Sequence, residues 1–357
     1  MPIACKRAAR DPGTRRLELR GTVERSTMSE SMHDNDLAGE AKAPDTAGAV
    51  IGIDIGGTSI KMGLVNPRGE VLATGTVRTG KLDNEEAFAT VRDAVVSLAH
   101  DEGIDPGELL AVGLDVPGVV IDGKLAMAPN ITLDMDGLLA SLQAALPNTR
   151  FTALNDANAA ALGETWVGAG NGASSLVMLT LGTGVGGGVV VDGHVVSGAN
   201  GAAGEIGHLN VNPDETERCG CGCTGCLEQY ASARGLIRLY REECAHDGAV
   251  EVPIAHATDA LAVFEAARGG NAQAVAACHR LGAYLARALA AVAVTVDPSA
   301  FVIGGGMCGG WDTFGNKCVE EYRRLVIPGC RETPIRVATL GNAAGFLGAA
   351  RAALALV

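Results

Sequence analysis

Four of the ten cysteines stand between positions 219 and 226, in the run CGCGCTGCLE that ends at Glu228. Thiols this close in a chain of 357 residues suit a metal ion better than the spread cysteines of a small disulfide scaffold. Two further runs suit phosphate. Asp54-Ile55-Gly56-Gly57-Thr58 and Leu181-Gly182-Thr183-Gly184 each set a threonine in a glycine turn. Without Cβ atoms such turns let backbone N–H groups approach phosphate oxygens closely, and the hydroxyl adds a donor. Asp54 adds a carboxylate for Mg²⁺, directly or through water. Two such turns facing one another across a cleft could clamp the tail of ATP. A third glycine cluster, Gly304-Gly305-Gly306, follows the apolar run AFVI and reads at least as a strand-to-helix turn. Asn155-Asp156 lies between an apolar run and a helical one, where either residue serves as an N-cap and a carboxylate gains from the helix dipole.

These groups need a scaffold, and the flanking residues supply one. VIGIDI over 50–55 reads as a buried strand, followed by the Gly56-Gly57 turn, strand 59–65, a turn at 66–69 and strand 70–77. Helical spacing of Phe88, Val91, Val95 and Leu98 predicts a helix over 85–99, with strand 110–116 and a helix near 137–146 after it. The same meander returns as strand 175–181, turn 182–184, strand 185–191, an Asp192-Gly193 hairpin and a short strand over 194–197. A long Ala-rich helix is expected over 273–293, with further helices over 315–325 and 342–354. One plan used twice suggests a duplicated two-lobed fold with a ligand cleft between the lobes. Gly182, Gly184 and Gly187 also fit the dinucleotide fingerprint, but strand and hairpin residues follow where that motif requires a helix. No Walker A motif occurs.

Composition narrows the classes. Hydrophobic residues make up 47% of the chain, ample for a large core, and the 49 glycines fall in clusters rather than a collagen repeat. A net charge of −13 argues against a broad nucleic-acid face. The longest apolar run, 288–296, is bracketed by Arg287 and Asp297 and is far short of the ~20 residues that span a bilayer. Residues 1–47 are basic first and acidic later, with no apolar signal core. They read as a disordered extension, or as a start-site artefact with Met28 or Met32 as the true start. The remaining cysteines, Cys5, Cys244, Cys278, Cys308, Cys318 and Cys330, read mostly as small buried apolar residues. Lys61 reads as a solvated or face lysine on its strand.

Five motifs occur together and in order: Ile53–Thr58; Asn155-Asp156-Ala157-Asn158-Ala159-Ala160; Leu181–Gly188; Gly204-Glu205-Ile206-Gly207-His208; and Cys219–Glu228, which fits C-x-C-G-x-x-G-C-x-E. Over about residues 50–357 the chain resembles the ROK family of sugar kinases and repressors, and within it the bacterial glucokinase branch. The resemblance implies an α/β fold of the actin-like, hexokinase-type (ribonuclease H-like) class, duplicated into two lobes around an interlobe cleft. It implies a small lobe over 48–160 joined by the C-terminal helix 344–357, and a large lobe over 161–343 carrying a zinc loop at 208–226. The implied reaction is ATP-dependent phosphorylation of glucose to glucose 6-phosphate, with Mg²⁺ accompanying ATP.

The resemblance also distributes roles. Asp156 becomes the base that takes the proton of the 6-hydroxyl, a contribution of typically 10²–10⁴ in rate. Asn130, Asn155, Glu205, His208 and Glu228 become partners of the other hydroxyls. Asp54, Gly56, Gly57, Thr58, Gly182, Thr183 and Gly184 serve the phosphates, and Gly304, Gly305 and Gly306 the adenosine. His208, Cys219, Cys221 and Cys226 hold a structural zinc, with Cys223 as a competing thiol; four protein ligands leave no position open for water. A cytoplasmic homo-oligomer, dimer or tetramer, is the implied state, without nucleic-acid or membrane partners. N-acetylmannosamine and fructose kinases are the nearer alternatives. A repressor would need a winged helix-turn-helix that residues 1–47 do not offer, and a non-catalytic sensor would be expected to lack Asp54 or Asp156.

Overall fold

The computed structural model describes residues 46–121, 124–127 and 131–357. Strands β1 (Val50–Ile55), β2 (Ser59–Val65), β3 (Val71–Arg78), β4 (Ala111–Val116), β7 (Arg150–Asn155) and the small hairpin β5 (Val119–Ile121) with β6 (Lys124–Met127) build the first half. Its five-stranded sheet has the order β3-β2-β1-β4-β7, with the meander antiparallel and β4 and β7 parallel to β1. The second half repeats this with β8 (Ser175–Leu181), β9 (Val185–Val191), β10 (His194–Val195), β11 (Ala300–Gly304) and β12 (Ile335–Val337), in the order β10-β9-β8-β11-β12. Again the meander is antiparallel, and β11 and β12 run parallel to β8. The duplication suggested by two meanders therefore extends to whole sheets.

Each sheet has its own core. Helix α1 (Glu85–Asp101) begins where the Asn84 side chain accepts the Ala87 N–H, and it buries Phe88, Val91, Val95 and Leu98, the residues whose spacing predicts it. With α2 (Met135–Ala145) it covers Ile51, Ile53 and Leu114 of the first sheet. The second sheet is covered by α4 (Glu228–Ala231), α5 (Ala233–Asp247), α6 (Ala260–Arg268), α7 (Ala272–Val296) and α8 (Trp311–Leu325), around Phe301, Leu285 and Phe314. Helices α5 and α6 carry apolar stripes that the sequence reading passed over. Among the described residues no helix is long and apolar enough to cross a membrane.

Two helices cross between the halves. Helix α3 (Asp156–Val167) packs on β9, and α9 (Ala344–Leu354) packs on β1 and β4 as well as on α3. Both contacts are backbone-close. A Cβ on Gly52 would lie 1.8 Å from the Phe346 carbonyl oxygen, and one on Gly113 would lie 1.9 Å from that of Ala349. Glycine in these central strands is what lets the helix seat. Gly113→Ala is expected to destabilise the protein by about 3 kcal/mol, the upper end for overpacking, because the obstructing atoms are backbone. Denaturant unfolding of the variant checks this.

Candidate active site

The first phosphate-type turn closes tightly. The Gly56 N–H donates to the Ser59 carbonyl at 3.1 Å and the Thr79 hydroxyl to the Gly56 carbonyl at 2.6 Å, while Gly57 and Thr58 remain exposed at the tip. Asp54 stands just before the turn, and its Oδ2 is 3.6 Å from Nζ of Lys61 on β2. Lys61 is thus paired with the turn's carboxylate rather than simply solvated. Directly beside Asp54 in the parallel register lies Asp115 of β4. Asp115 is buried, and among the described residues its Oδ1 has no hydrogen-bond partner. Sequence reading missed it. Its one signal is a carboxylate inside the otherwise apolar run 109–116. Room for the two acids comes from Gly345 at the start of α9, where a Cβ would fall 2.2 Å from Asp115 Oδ2 and 3.1 Å from Asp54 Cγ.

Asp156 completes an acidic corner. Strand β7 ends at Asn155, whose Oδ1 accepts the Ala157 and Asn158 N–H groups and so caps α3, with Asp156 as its first residue. The Asn155 Nδ2 donates to the Gly118 carbonyl at 2.9 Å. Its carbonyl is fully used by the cap, and one amide hydrogen is left for a ligand. Asp156 keeps exposed surface, yet the protein packed around it desolvates its carboxyl and raises its pKa, against the opposing hydrogen bonds from Ala157 and Asn155. Burial also raises Asp54, with Lys61 lowering it and Asp156 raising it further. Asp115 is pushed well up by burial, then by the charges of Asp54 and Asp156. Three carboxylates against one lysine, with an unpartnered oxygen among them, suit a hard dication.

On its other side α3 meets the second glycine turn. A Cβ on Gly186 would lie 3.2 Å from that of Ala157, so β9 begins beside Asp156. In this turn the Gly182 N–H donates to the Gly184 carbonyl at 2.9 Å, and Thr183 is exposed. Gly305 has φ +86°, and a Cβ there would lie 2.3 Å from the Leu181 carbonyl oxygen, so only glycine lets the third cluster abut the second. Gly304 ends β11 inside the sheet, and Gly306 is exposed. Asp156 therefore lies between the turn at 56–58 and the combined turns at 182–184 and 304–306. Asn130 lies outside the described residues.

The cysteine loop docks on this second turn. His208 and Glu205 belong to a short turn whose Gly207 leaves no space against the Val185 carbonyl, 2.1 Å from where its Cβ would be. Glu228 Oε2 accepts the Val185 N–H at 3.0 Å, and its Oε1 lies 3.7 Å from Cys219 Sγ. One donor atom each from His208, Cys219, Cys221 and Cys226 falls within 4.8 Å of the others. Cys221 Sγ and Cys226 Sγ are 3.6 Å apart, and His208 Nδ1 is 3.9 Å from Cys219 Sγ. A tetrahedron with Zn–S of ~2.3 Å has edges of about 3.8 Å. The donor set fits zinc, and with Nδ1 turned to the thiols, Nε2 faces Glu205 Oε2 at 4.0 Å. Cys223 is exposed and outside this group. Burial, then its neighbouring thiols, pushes the Cys226 thiol up to about 12, so capture of a cation there releases a proton.

A half-buried acid braces the loop. Burial opposes ionisation of Glu215, but the Tyr230 hydroxyl at 2.6 Å, the Glu217 N–H and Arg238 at 2.7 Å hold its carboxyl down to about 2. A depressed carboxyl stabilises the fold above its unfolded value of about 4.5, and that contribution disappears as pH falls toward about 2. Glu215→Gln should lower Tm by about 4 °C at pH 7. Melting curves against pH should show the gap to wild type closing between about 4.5 and about 2.

The ROK family model matches residues 50–356. The chain belongs to the ROK family. This ROK chain is 36% identical over 308 residues to a glucokinase of Halalkalibacterium halodurans, covering 84% of this chain and 92% of that one. Among solved structures it is similar to a ROK hexokinase from Thermus thermophilus, with 33% identity, a TM-score of 0.72, and 86% and 98% of the two chains covered. It is also similar to a ROK family glucokinase from Streptomyces griseus in complex with glucose and AMPPNP, with 35% identity, a TM-score of 0.65, and 86% and 99% covered. The two-lobed actin-like sugar-kinase architecture expected from the motifs is thus the fold of this ROK chain.

Proposed function

We propose that this protein is a glucokinase, which transfers the γ-phosphoryl group of ATP to the 6-hydroxyl of glucose and yields glucose 6-phosphate and ADP. The observation that carries the reading is the position of Asp156, a partly desolvated carboxylate on a helix N-terminus between two exposed glycine-threonine turns. A sugar hydroxyl is a weak nucleophile, and in-line transfer needs it oriented and its proton accepted. Asp156 does both. Its pKa is raised by desolvation, which makes it a better proton acceptor than an ordinary aspartate. Asn155, Glu205, His208 and Glu228 hold the remaining hydroxyls, together with Asn130.

The turns at 56–58 and 182–184 take the phosphates, and 304–306 the adenosine. Bound Mg²⁺ neutralises phosphate charge, and Asp54 is the group that would hold it, with Asp115 behind. His208, Cys219, Cys221 and Cys226 would hold a structural zinc. The lobes in this reading are 48–160 with 344–357, and 161–343, closing on the sugar so that water does not take the phosphoryl group. Family resemblance supports a cytoplasmic homo-oligomer, dimer or tetramer.

The test is a coupled ADP-release assay with glucose, mannose, fructose, N-acetylglucosamine and N-acetylmannosamine. Glucose should give a kcat/KM at least about 10-fold above the others, a factor that one lost buried hydroxyl contact readily supplies. A higher value for an acetylated amino sugar, or no turnover of glucose, would overturn the assignment.

A further inference from the structure

Glu164, in the last turns of α3, has no counter-ion in any described contact and yet is completely buried. Carboxyl groups in protein interiors are costly unless their oxygens are hydrogen-bonded. Here they are. Oε1 accepts the N–H groups of Thr339 at 2.9 Å and Leu340 at 2.8 Å, and Oε2 accepts the Ala169 N–H at 2.7 Å and the Thr339 hydroxyl at 3.4 Å. Thr339 and Leu340 belong to the crossover that leaves β12 and enters α9. The guanidinium of Arg336 in β12 donates to the Ala169 carbonyl at 2.7 Å and closes the same junction from the other side. Gly168 shapes the seat, since a Cβ there would lie 2.1 Å from Glu164 Oε2.

The two helices joined in this way carry the two ends of the reaction. Asp156 is the first residue of α3. Gly345, in the first turn of α9, lies against Asp54 and Asp115. Between them the helices touch backbone to backbone. A Cβ on Gly348 would lie 1.7 Å from the Ala159 carbonyl oxygen, and one on Gly163 would lie 2.6 Å from that of Ala344. Close packing fixes the separation of the axes but resists sliding and rotation weakly, because small side chains interlock little. A directional anchor is needed, and the four donors on Glu164 form one.

We propose that Glu164 is a positioning residue for phosphoryl transfer, which locks the crossover at Thr339–Leu340 onto α3 and thereby fixes Asp156 relative to the Asp54 turn. The proposal rests on the kinase reading, since it assigns Asp156 to the proton and Asp54 to the phosphate end. A displacement of about 1 Å between reacting groups costs on the order of 10²-fold in rate, whereas ground-state binding tolerates it better. Loss of the anchor should therefore fall on kcat rather than on KM. A side chain that only held the fold together would lower Tm and leave kcat alone below the transition.

The experiment compares wild type with E164Q and G168A as full-length, metal-replete protein at 25 °C. In E164Q an amide group faces N–H donors where an oxygen accepted them. In G168A the carboxyl group is displaced but not replaced, so that one variant serves if the other does not accumulate. Expected are a kcat lower by about 30-fold for E164Q, a glucose KM within about 3-fold of wild type, and a smaller change of the same kind for G168A. Hydrogen exchange should quicken at Thr339 and Leu340 and at the first turn of α3. An unchanged kcat in folded variant protein whose Thr339 and Leu340 amides have lost protection overturns the proposal. So does unchanged protection of those amides. Wild-type protein that phosphorylates no sugar is a failure of the kinase reading instead, and the exchange rates still test the anchor.

Discussion

Asp156→Asn should keep glucose binding and lose most turnover. Asparagine preserves size and can still hydrogen-bond the 6-hydroxyl, but it cannot take the proton, and a general base of this kind contributes 10²–10⁴ in rate. The expected result is a kcat lower by about 10³-fold with a glucose Kd within about 3-fold of wild type, read by steady-state kinetics beside calorimetric titration. Desolvation raises the Asp156 pKa, so kcat/KM of the wild type should fall on acidification at a pH above the ordinary aspartate value. That limb should disappear in the variant. A kcat near wild type would remove Asp156 from the proton transfer altogether.

On the proposed zinc assignment, chelation should strike stability and sugar binding together. The four donors His208, Cys219, Cys221 and Cys226 close a loop whose two ends carry Glu205 and Glu228, and Glu228 also accepts the Val185 N–H beside the second glycine turn. Structural zinc contributes folding free energy directly, on the order of 10 kcal/mol in small isolated domains. A large two-lobed chain should feel a fraction of that, seen as a Tm lower by more than about 10 °C after chelation. Without the proposed metal His208 would lose its anchor and the loop that carries Glu228 would loosen, and glucose KM should rise by about 10-fold or more. Cys226→Ser should reproduce both changes, and Cys223→Ser neither, since Cys223 lies outside the donor group. Fully demetallated protein with unaltered kinetics would separate the loop from sugar recognition.

Much of this was legible in the sequence because the residues concerned act locally. Asn155-Asp156 is placed at a strand end by the run before it and at a helix start by its own capping chemistry. The repeated meander foretold paired sheets, because a glycine turn between two apolar runs admits few other folds. Asp115 was hidden for the opposite reason. One carboxylate in a run that otherwise reads as buried strand has no local partner, and its neighbours Asp54 and Gly345 come from distant parts of the chain. Glu164 was hidden likewise, since three of its four donors lie 175 or 176 residues away. Strand β12 has only three residues, too few for periodicity to register. Lys61 alternates along its strand like a surface lysine, and only the fold reveals that Asp54 faces it.

The central claim is that a sugar hydroxyl, Asp156 and the γ-phosphate meet between the two glycine turns. A crystal structure with glucose and a non-hydrolysable ATP analogue tests it most directly. The account predicts an Asp156 carboxylate oxygen about 2.6–3.2 Å from the 6-hydroxyl, with the phosphate chain between the turns at 56–58 and 182–184. Glucose bound away from Asp156, or with another hydroxyl presented to it, would contradict the account.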